Sequence, residues 1–254
     1  MTRIEKVFKS GRKVLVAYLT AGDPNPAATP ELVAALERGG VDLVELGVPF
    51  SDPIADGPVI QAASARALAE GTTLAKVLEI ARTIRKTSDI PLLLFTYMNP
   101  VVRYGFEALA RDAKAAGIDG CLMTDLSVEE ADDYIGIMRD AGLDTVFLAA
   151  PTSTPRRLEL VAKYSSGFVY VVSRNGVTGE REQLSASVGP LLEQLRAKTT
   201  LPLAVGFGIS NGEQARASAE HGDGVVVGSA IVRLIEQGGD LEAFARSLRE
   251  GLDG

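Results

Sequence analysis

The alternation of short apolar runs with amphipathic segments limits the possible folds of this chain more than any other feature. Eight runs rich in aliphatic residues recur from end to end, at residues 14–20, 41–46, 91–97, 118–124, 144–149, 168–173, 203–207 and 224–227. Most are almost continuously apolar, which is typical of parallel strands covered on both faces. The segments between them, for example 74–84 and 131–138, have apolar residues at helical spacing. The sequence therefore predicts an α/β protein.

A weak internal repeat supports this count of strands. Four of the junctions that precede a strand carry a glycine followed closely by an aspartate, at 40–42, 117–119, 142–144 and 222–223. Such a glycine can end a helix in the left-handed conformation. Eight strand–helix units favour a closed (β/α)8 barrel over an open doubly wound sheet. We predict one barrel domain over residues 1–254, with an extra helix at its N-terminus.

Composition and charge exclude several classes of protein. The net charge is −7 and the pI is about 4.9, so the surface repels nucleic acid. No stretch approaches the roughly 18 apolar residues that a membrane span needs, and the start of the chain lacks the apolar run of a secretory signal. One cysteine, Cys121, and one histidine, His221, are too few for a disulfide or a zinc site. These features predict a cytoplasmic protein.

Two connections that follow strands are long, one after strand 2 at 47–57 and one after strand 6 at about 173–186. Strand-to-helix loops usually take about 2–6 residues, and longer ones are often functional. In a barrel these loops lie on the catalytic face. The alternative is that both are tolerated insertions without a role.

Glycines after the last two strands point to a phosphate site. Gly206 and Gly208 follow strand 7, and Gly228 and Ser229 follow strand 8. This is the usual place of a phosphate cradle in a barrel, because glycine allows close approach to the backbone and helix N-terminal amides attract anions. Gly212 comes one position too late for a dinucleotide fingerprint. The alternative is that these glycines only form tight turns.

Two carboxylates are candidates for catalysis. Glu45 lies at the C-terminal end of apolar strand 2, where burial should raise its pKa into the range of a general acid–base. A structural hydrogen-bond network is an equal alternative for this residue. Asp56 lies in the loop after strand 2, just ahead of Pro58, where an aspartate commonly caps a helix.

The inventory of other reactive side chains excludes alternative chemistries. The eight lysines all lie outside the C-terminal ends of the strands, which argues against a Schiff-base aldolase. His221, as the single histidine, argues against a metal-dependent epimerase, and we expect it to be solvated or structural. We expect Cys121, within strand 4, to serve packing.

Five segments of the sequence resemble one family, the tryptophan synthase alpha chains. The segment VELGVPFSDP at 44–53 carries the resemblance most specifically, and four further segments agree, YLTAGDP at 18–24, ADGP at 55–58, YVVSRNGVTG at 170–179 and GFGI at 206–209. The resemblance covers essentially the whole chain. One departure lies at 124–127, where many members of the family have prolines.

The resemblance implies an activity and site residues. It implies a lyase that splits indole-3-glycerol phosphate into indole and glyceraldehyde 3-phosphate, with Glu45 as the catalytic acid–base and Asp56 as the partner of the indole nitrogen. It assigns substrate contacts to Tyr18, Tyr97, Tyr170, Thr178 and Phe207, and phosphate contacts to Gly179, Gly208, Gly228 and Ser229.

The resemblance also implies a partner, a beta subunit that carries pyridoxal phosphate, in an α2β2 complex. The alpha subunit itself then needs no cofactor. The loop at 173–186 contains Gly176 and Gly179, so it could hinge and close over a bound phosphate. Two alternatives stay open, another phosphosugar barrel and a non-catalytic subunit that only activates a partner. The neighbouring indole-glycerol phosphate synthase would need strand-borne lysines, which this sequence lacks.

Overall fold

The strands form close to where the sequence predicts them. The computed structural model describes residues 1–172, 181–206 and 208–254, except for the side chains of 181–187. The strands are β1 (Val14–Thr20), β2 (Leu43–Gly47), β3 (Leu92–Thr96), β4 (Gly120–Met123), β5 (Asp144–Thr145), β6 (Leu148–Ala149), β7 (Val169–Val172), β8 (Leu203–Gly206) and β9 (Gly224–Val227). Most are shorter than predicted, because end residues such as Pro91, Ile118 and Phe168 lie in the connections and not in the strands.

All pairs of neighbouring strands are parallel, in the order β5-β4-β3-β2-β1-β9-β8-β7-β6. The two ends of this order are consecutive in the chain. They are the halves of the predicted strand 144–149, which runs first along β4 and then along β7. The prediction of one continuous strand was wrong, because the chain changes partners at Val146 and Phe147 to close the barrel. The predicted (β/α)8 barrel is confirmed.

Helices surround the strands, and an extra one precedes β1 as predicted. Among the described residues they are α1 (Arg3–Phe8), α2 (Thr29–Arg38), α3 (Pro58–Ala69), α4 (Leu74–Ile84), α5 (Met98–Tyr104), α6 (Phe106–Ala116), α7 (Asp132–Asp140), α8 (Pro155–Tyr164), α9 (Arg181–Arg196), α10 (Gly212–Ala219), α11 (Ser229–Glu236) and α12 (Leu241–Asp253). A 3-10 helix covers Val128–Glu130. None of the helices in the described part is long and apolar enough to cross a membrane.

The core has two layers because successive strand residues face opposite sides of the sheet. In β2, Leu43 packs inside the barrel, whereas Val44 and Leu46 pack against the outer helices. The inner cluster also includes Ile4 of α1, and Phe8 at the end of that helix packs against Phe168 with ring centroids 5.3 Å apart. Helix α1 therefore closes the N-terminal end of the barrel, opposite the catalytic face.

The glycines of the internal repeat are left-handed in three of four cases. Gly40, Gly117 and Gly142 have φ values of 93°, 80° and 67°. Gly222 does not have a positive φ, so the prediction was wrong there. A Cβ on Gly222 would lie 2.7 Å from Val205, which shows that close packing explains this glycine instead.

The aspartates of the repeat have a shared role, with one exception. Asp42, Asp119 and Asp223 each accept a backbone amide proton from a neighbouring strand or its start and pair with an arginine. Asp144 is also buried, but its Oδ2 atom has no hydrogen-bond partner among the described residues. Burial raises the pKa of Asp144. The copy at Asp144 therefore buries a carboxyl group without the arginine and the backbone amide that the other three copies contact.

Of the two long connections predicted after strands 2 and 6, the first has the predicted length and the second is shorter than predicted. The loop after β2 runs from residue 48 to residue 57, as expected. The predicted loop at 173–186 was too long, because α9 already begins at Arg181. Residues 173–180 lie outside the described residues, and with them the predicted hinges Gly176 and Gly179.

Candidate active site

Glu45 lies inside the barrel near the C-terminal ends of the strands. In the register of the sheet it pairs with Tyr18 of β1 on one side and Leu93 of β3 on the other. The alternation along β2 turns its side chain inward, on the same side as Leu43. A carboxyl group is thus placed above the apolar floor that the inner cluster forms.

The Glu45 carboxyl is fully buried, and neither of its oxygens has a hydrogen-bond partner among the described residues. Burial raises its pKa from the ordinary 4.5 to about 8, because an apolar surrounding disfavours the charged form. The structural alternative required a hydrogen-bond network around Glu45, and the described residues contain none. Protonated Glu45 can donate a proton to a ligand, and after donation it can accept one.

Aromatic rings stand on both sides of Glu45. Tyr18 packs edge-on against Phe95 with ring centroids 5.1 Å apart. Tyr170 lines the same cavity from β7, and burial, followed by the charge of Glu45, raises the pKa of its hydroxyl. A Cβ on Gly47 would come within 2.2 Å of the Tyr18 hydroxyl. Together these rings form flat apolar walls.

Asp56 is held by Tyr97, not by the helix that follows it. The Tyr97 hydroxyl donates to Oδ2 of Asp56 at 2.9 Å and accepts the amide proton of Ala55 at 3.1 Å. Gly57 is the N-cap of α3, and no side chain caps this helix, so the capping alternative for Asp56 was wrong. Burial raises the pKa of Asp56, while the hydrogen bond from Tyr97 opposes that shift.

Gly208, Gly228 and Ser229 line the same cavity as Glu45, which has a volume of about 400 Å³. Gly228 is the N-cap of α11 and has a negative φ of −120°. A Cβ on Gly228 would make only ordinary contacts, the nearest at 3.6 Å from Tyr18. Neither conformation nor packing requires a glycine here, whereas close approach of a ligand to the backbone would. The first-turn amides of α11 are available to an anion.

Three predicted contacts, Thr178, Gly179 and Phe207, lie outside the described residues. The other eight predicted site residues are described. Six of them line the cavity, namely Tyr18, Glu45, Tyr170, Gly208, Gly228 and Ser229. Asp56 and Tyr97 are not in this lining, but they form a hydrogen-bonded pair. Burial raises the pKa of both Tyr18 and Tyr170, and the charge of Asp56 contributes to that rise.

Sequence reasoning gave no role to several other residues that line the cavity, among them Ile60, Phe95 and Arg233. Phe95 could have been predicted, because it lies on the inward face of β3, two residues before the predicted contact Tyr97. Arg233 lies within α11, beyond the loop after strand 8, so the glycine pattern of the loops does not include it. Ile60 belongs to the first turn of α3, and nothing in its local sequence marks it.

Cys121 and His221 are both absent from the described lining of the cavity. Cys121 is fully buried in the outer core layer, where burial raises the pKa of its thiol to about 12. His221 is exposed between α10 and β9. The cavity thus combines an acid of raised pKa, apolar aromatic walls and backbone amides for an anion. It suits an aromatic phosphate ester whose reaction needs proton transfer.

Comparisons with known proteins point to one family. The family model described as tryptophan synthase alpha chain matches residues 4–250. A tryptophan synthase alpha chain from Solibacter usitatus is 65% identical and aligns over 99% of this chain and 98% of its own. One from Geotalea uraniireducens is 48% identical over 100% of this chain and 95% of its own.

Solved structures agree with these relatives. A crystal structure of tryptophan synthase subunit alpha from Legionella pneumophila has a TM-score of 0.90 at 37% identity, and the alignment covers 100% of this chain and 99% of that chain. A structure of Mycobacterium tuberculosis tryptophan synthase has a TM-score of 0.92 at 38% identity, with 99% and 98% covered.

Proposed function

The chain belongs to the tryptophan synthase alpha chain family, and we propose that Glu45 carries the protons in the reaction of this family. That reaction is the cleavage of indole-3-glycerol phosphate into indole and glyceraldehyde 3-phosphate, a step of tryptophan biosynthesis. The observation that carries the proposal is the buried Glu45 carboxyl, whose oxygens have no partner among the described residues and whose pKa is raised to about 8.

Glu45 acts first as an acid and then as a base. Protonated Glu45 donates its proton to C3 of the indole ring, which converts the ring into an electron sink. The bond between C3 and the glycerol chain then breaks, and its electrons neutralise the positive ring nitrogen. The hydroxyl on the departing carbon loses its proton to the Glu45 carboxylate as the aldehyde forms. A single carboxyl of raised pKa therefore completes the cycle in its starting state.

Asp56 stabilises the charge that develops on the ring. Protonation at C3 makes the indole nitrogen positive, and an ionised carboxylate near that nitrogen stabilises the transition state. The hydrogen bond from Tyr97 favours the ionised form of Asp56 and fixes the position of its Oδ2 atom. We assign the walls of the indole pocket to Tyr18 and Tyr170, and also to Phe95, because it lines the same cavity.

Backbone amides hold the phosphate at the other end of the cavity. Gly208, Gly228 and Ser229 line that end, and Ser229 begins α11. Glycine at position 228 leaves room for the phosphate against the backbone. We include Gly179, Thr178 and Phe207 in the site on the family resemblance alone.

Alpha chains of this family work in complex with a beta subunit, which carries the pyridoxal phosphate, and they have no cofactor of their own. We propose an α2β2 assembly in which the loop at 48–57, which carries Asp56, responds to the partner. We further propose that residues 1–254 form one catalytic domain, and that the protein works in the cytoplasm, as expected of a biosynthetic enzyme of this family.

Release of indole from indole-3-glycerol phosphate by the isolated chain tests the proposal. Glu45→Gln keeps the shape of the side chain and removes proton transfer, so the rate should fall by at least ~10²-fold. Asp56→Asn should lose much of the rate while the substrate still binds. Glu193→Gln, an exposed substitution of the same kind on α9, is the matched control and should keep the wild-type rate. Near-normal turnover of Glu45→Gln would overturn the assignment.

A further inference from the structure

Arg233 is a basic side chain at the phosphate end of the cavity. It lies on α11, four residues after Ser229, and lines the same cavity as Glu45 and Gly228. Residues four apart in a helix share a face, and helical side chains lean towards the N-terminus. The backbone therefore directs Arg233 back over the first turn of α11, where the free amides lie.

Charge gives this arrangement a consequence for the ligand. Among the described residues that line the cavity, Arg233 is the only cation and Glu45 the only carboxylate. The chain as a whole has a net charge of −7, which repels a doubly charged phosphate ester. Helix N-terminal amides supply partial positive charge only. A full positive charge on the same helix compensates the repulsion where the phosphate would lie.

We propose that Arg233 binds the substrate phosphate and determines the preference for the doubly charged ester over ligands without a phosphate. The inference rests on the proposed function, whose phosphate end it completes. Gly208, Gly228 and Ser229 fix the position of the phosphate, and Arg233 adds charge at its outer side. Arg233 is exposed, so its guanidinium keeps part of its hydration when the ligand binds. Its effect should accordingly be moderate and sensitive to salt.

A pair of matched ligands tests the proposal by calorimetry on the full chain. Indole-3-propanol phosphate carries the phosphate, and indole-3-propanol is the same molecule without it. At low ionic strength, Arg233→Gln should raise the dissociation constant of the phosphate ligand about tenfold, as expected for loss of one partly screened charge-assisted hydrogen bond. The dissociation constant of the alcohol should stay unchanged. At about 0.5 M salt the difference between variant and wild type should shrink, because screening weakens the charge.

Two further variants separate charge from structure. Arg82→Gln removes an exposed arginine from α4, away from the cavity, and should leave both dissociation constants at their wild-type values. Arg233→Lys keeps the charge and should hold the phosphate preference within about threefold of wild type. If Arg233→Lys lost as much phosphate affinity as Arg233→Gln, positive charge would not be the cause and the proposal would be overturned.

Other outcomes are equally decisive. Unchanged phosphate affinity in Arg233→Gln would overturn the proposal, and so would an equal loss for both ligands, because that indicates a distorted pocket. The proposed function fails in a different experiment, in which wild-type protein releases no indole from indole-3-glycerol phosphate. If the wild type releases indole and Arg233→Gln keeps the full preference for the phosphate ligand, only the role of Arg233 is refuted. The proposed function then stands.

Discussion

Replacing Glu45 by glutamine should make the stability of the protein less dependent on pH. Burial raises the pKa of Glu45 from the ordinary 4.5 to about 8. Below pH 4.5 the carboxyl is protonated in both the folded and unfolded states, so it has no net effect on stability. Between pH 4.5 and about 8 the unfolded chain ionises while the folded chain keeps its proton, so the wild type loses stability as pH rises.

The expected magnitude follows from the shift in pKa. Each pH unit in this window corresponds to about 1.4 kcal/mol of unfolding free energy. The wild type should therefore lose about 3 kcal/mol by pH 7, and the loss should level off near about 5 kcal/mol above pH 8. Glu45→Gln has the same shape but cannot ionise. Its buried amide changes the unfolding free energy by an amount that does not depend on pH. The test is therefore how the difference in unfolding free energy between the two proteins changes with pH.

Urea unfolding of both proteins at pH 5, 6, 7, 8 and 9 measures this slope. The unfolding free energy of Glu45→Gln minus that of the wild type should rise steadily to about pH 8 and then become flat. Glu193→Gln, at an exposed site, should give a difference that stays near zero throughout. A difference for Glu45→Gln that is constant from pH 5 to pH 9 would refute the raised pKa.

Three more substitutions test the surroundings of the site and the fold. Tyr97→Phe removes the hydrogen bond to Asp56. The value of kcat/KM for cleavage should then fall about tenfold, because a hydrogen bond to a charged group is lost. An unchanged kcat/KM would exclude a role for Tyr97 in holding Asp56. The unfolding free energy of Asp144→Asn minus that of the wild type should increase as pH rises above about 4. Burial raises the pKa of Asp144, so the wild type loses stability over this range and the asparagine variant does not. Asp119→Asn, the matched change at a copy of the repeat that pairs with Arg85, should instead destabilise by about 3 kcal/mol at pH 7. Equal effects of the two asparagine variants in urea unfolding would contradict the difference between the copies.

Sequence patterns predicted the fold because each strand has a strong local signal. The apolar runs and the amphipathic segments gave the (β/α)8 barrel, and helix α4 matches its predicted bounds, Leu74–Ile84. The break at Val146 and Phe147 was not predictable, since it arises from closure of the barrel between β4 and β7. Partner exchange depends on the whole sheet, and the local sequence of residues 144–149 reads as one strand.

The site was predictable in part for a similar reason. Glu45 stands out as a carboxylate within an apolar strand, and Gly228 lies where barrels bind phosphate. The role of Tyr97 in holding Asp56 depends on a contact across 41 residues, which no local pattern contains. Arg233 reads as an ordinary surface arginine of an amphipathic helix until the cavity is seen. Long-range contacts of this kind require the fold.

The pH dependence of kcat/KM for indole release by wild-type protein tests the role of Glu45 most directly. Cleavage begins with protonated Glu45, whose pKa in the free protein is about 8, so kcat/KM should fall about tenfold for each pH unit above 8. The substrate phosphate ionises near pH 6, so its titration is complete before this decline begins. A kcat/KM that stays constant from pH 7 to pH 10 would contradict proton transfer by a buried, protonated Glu45.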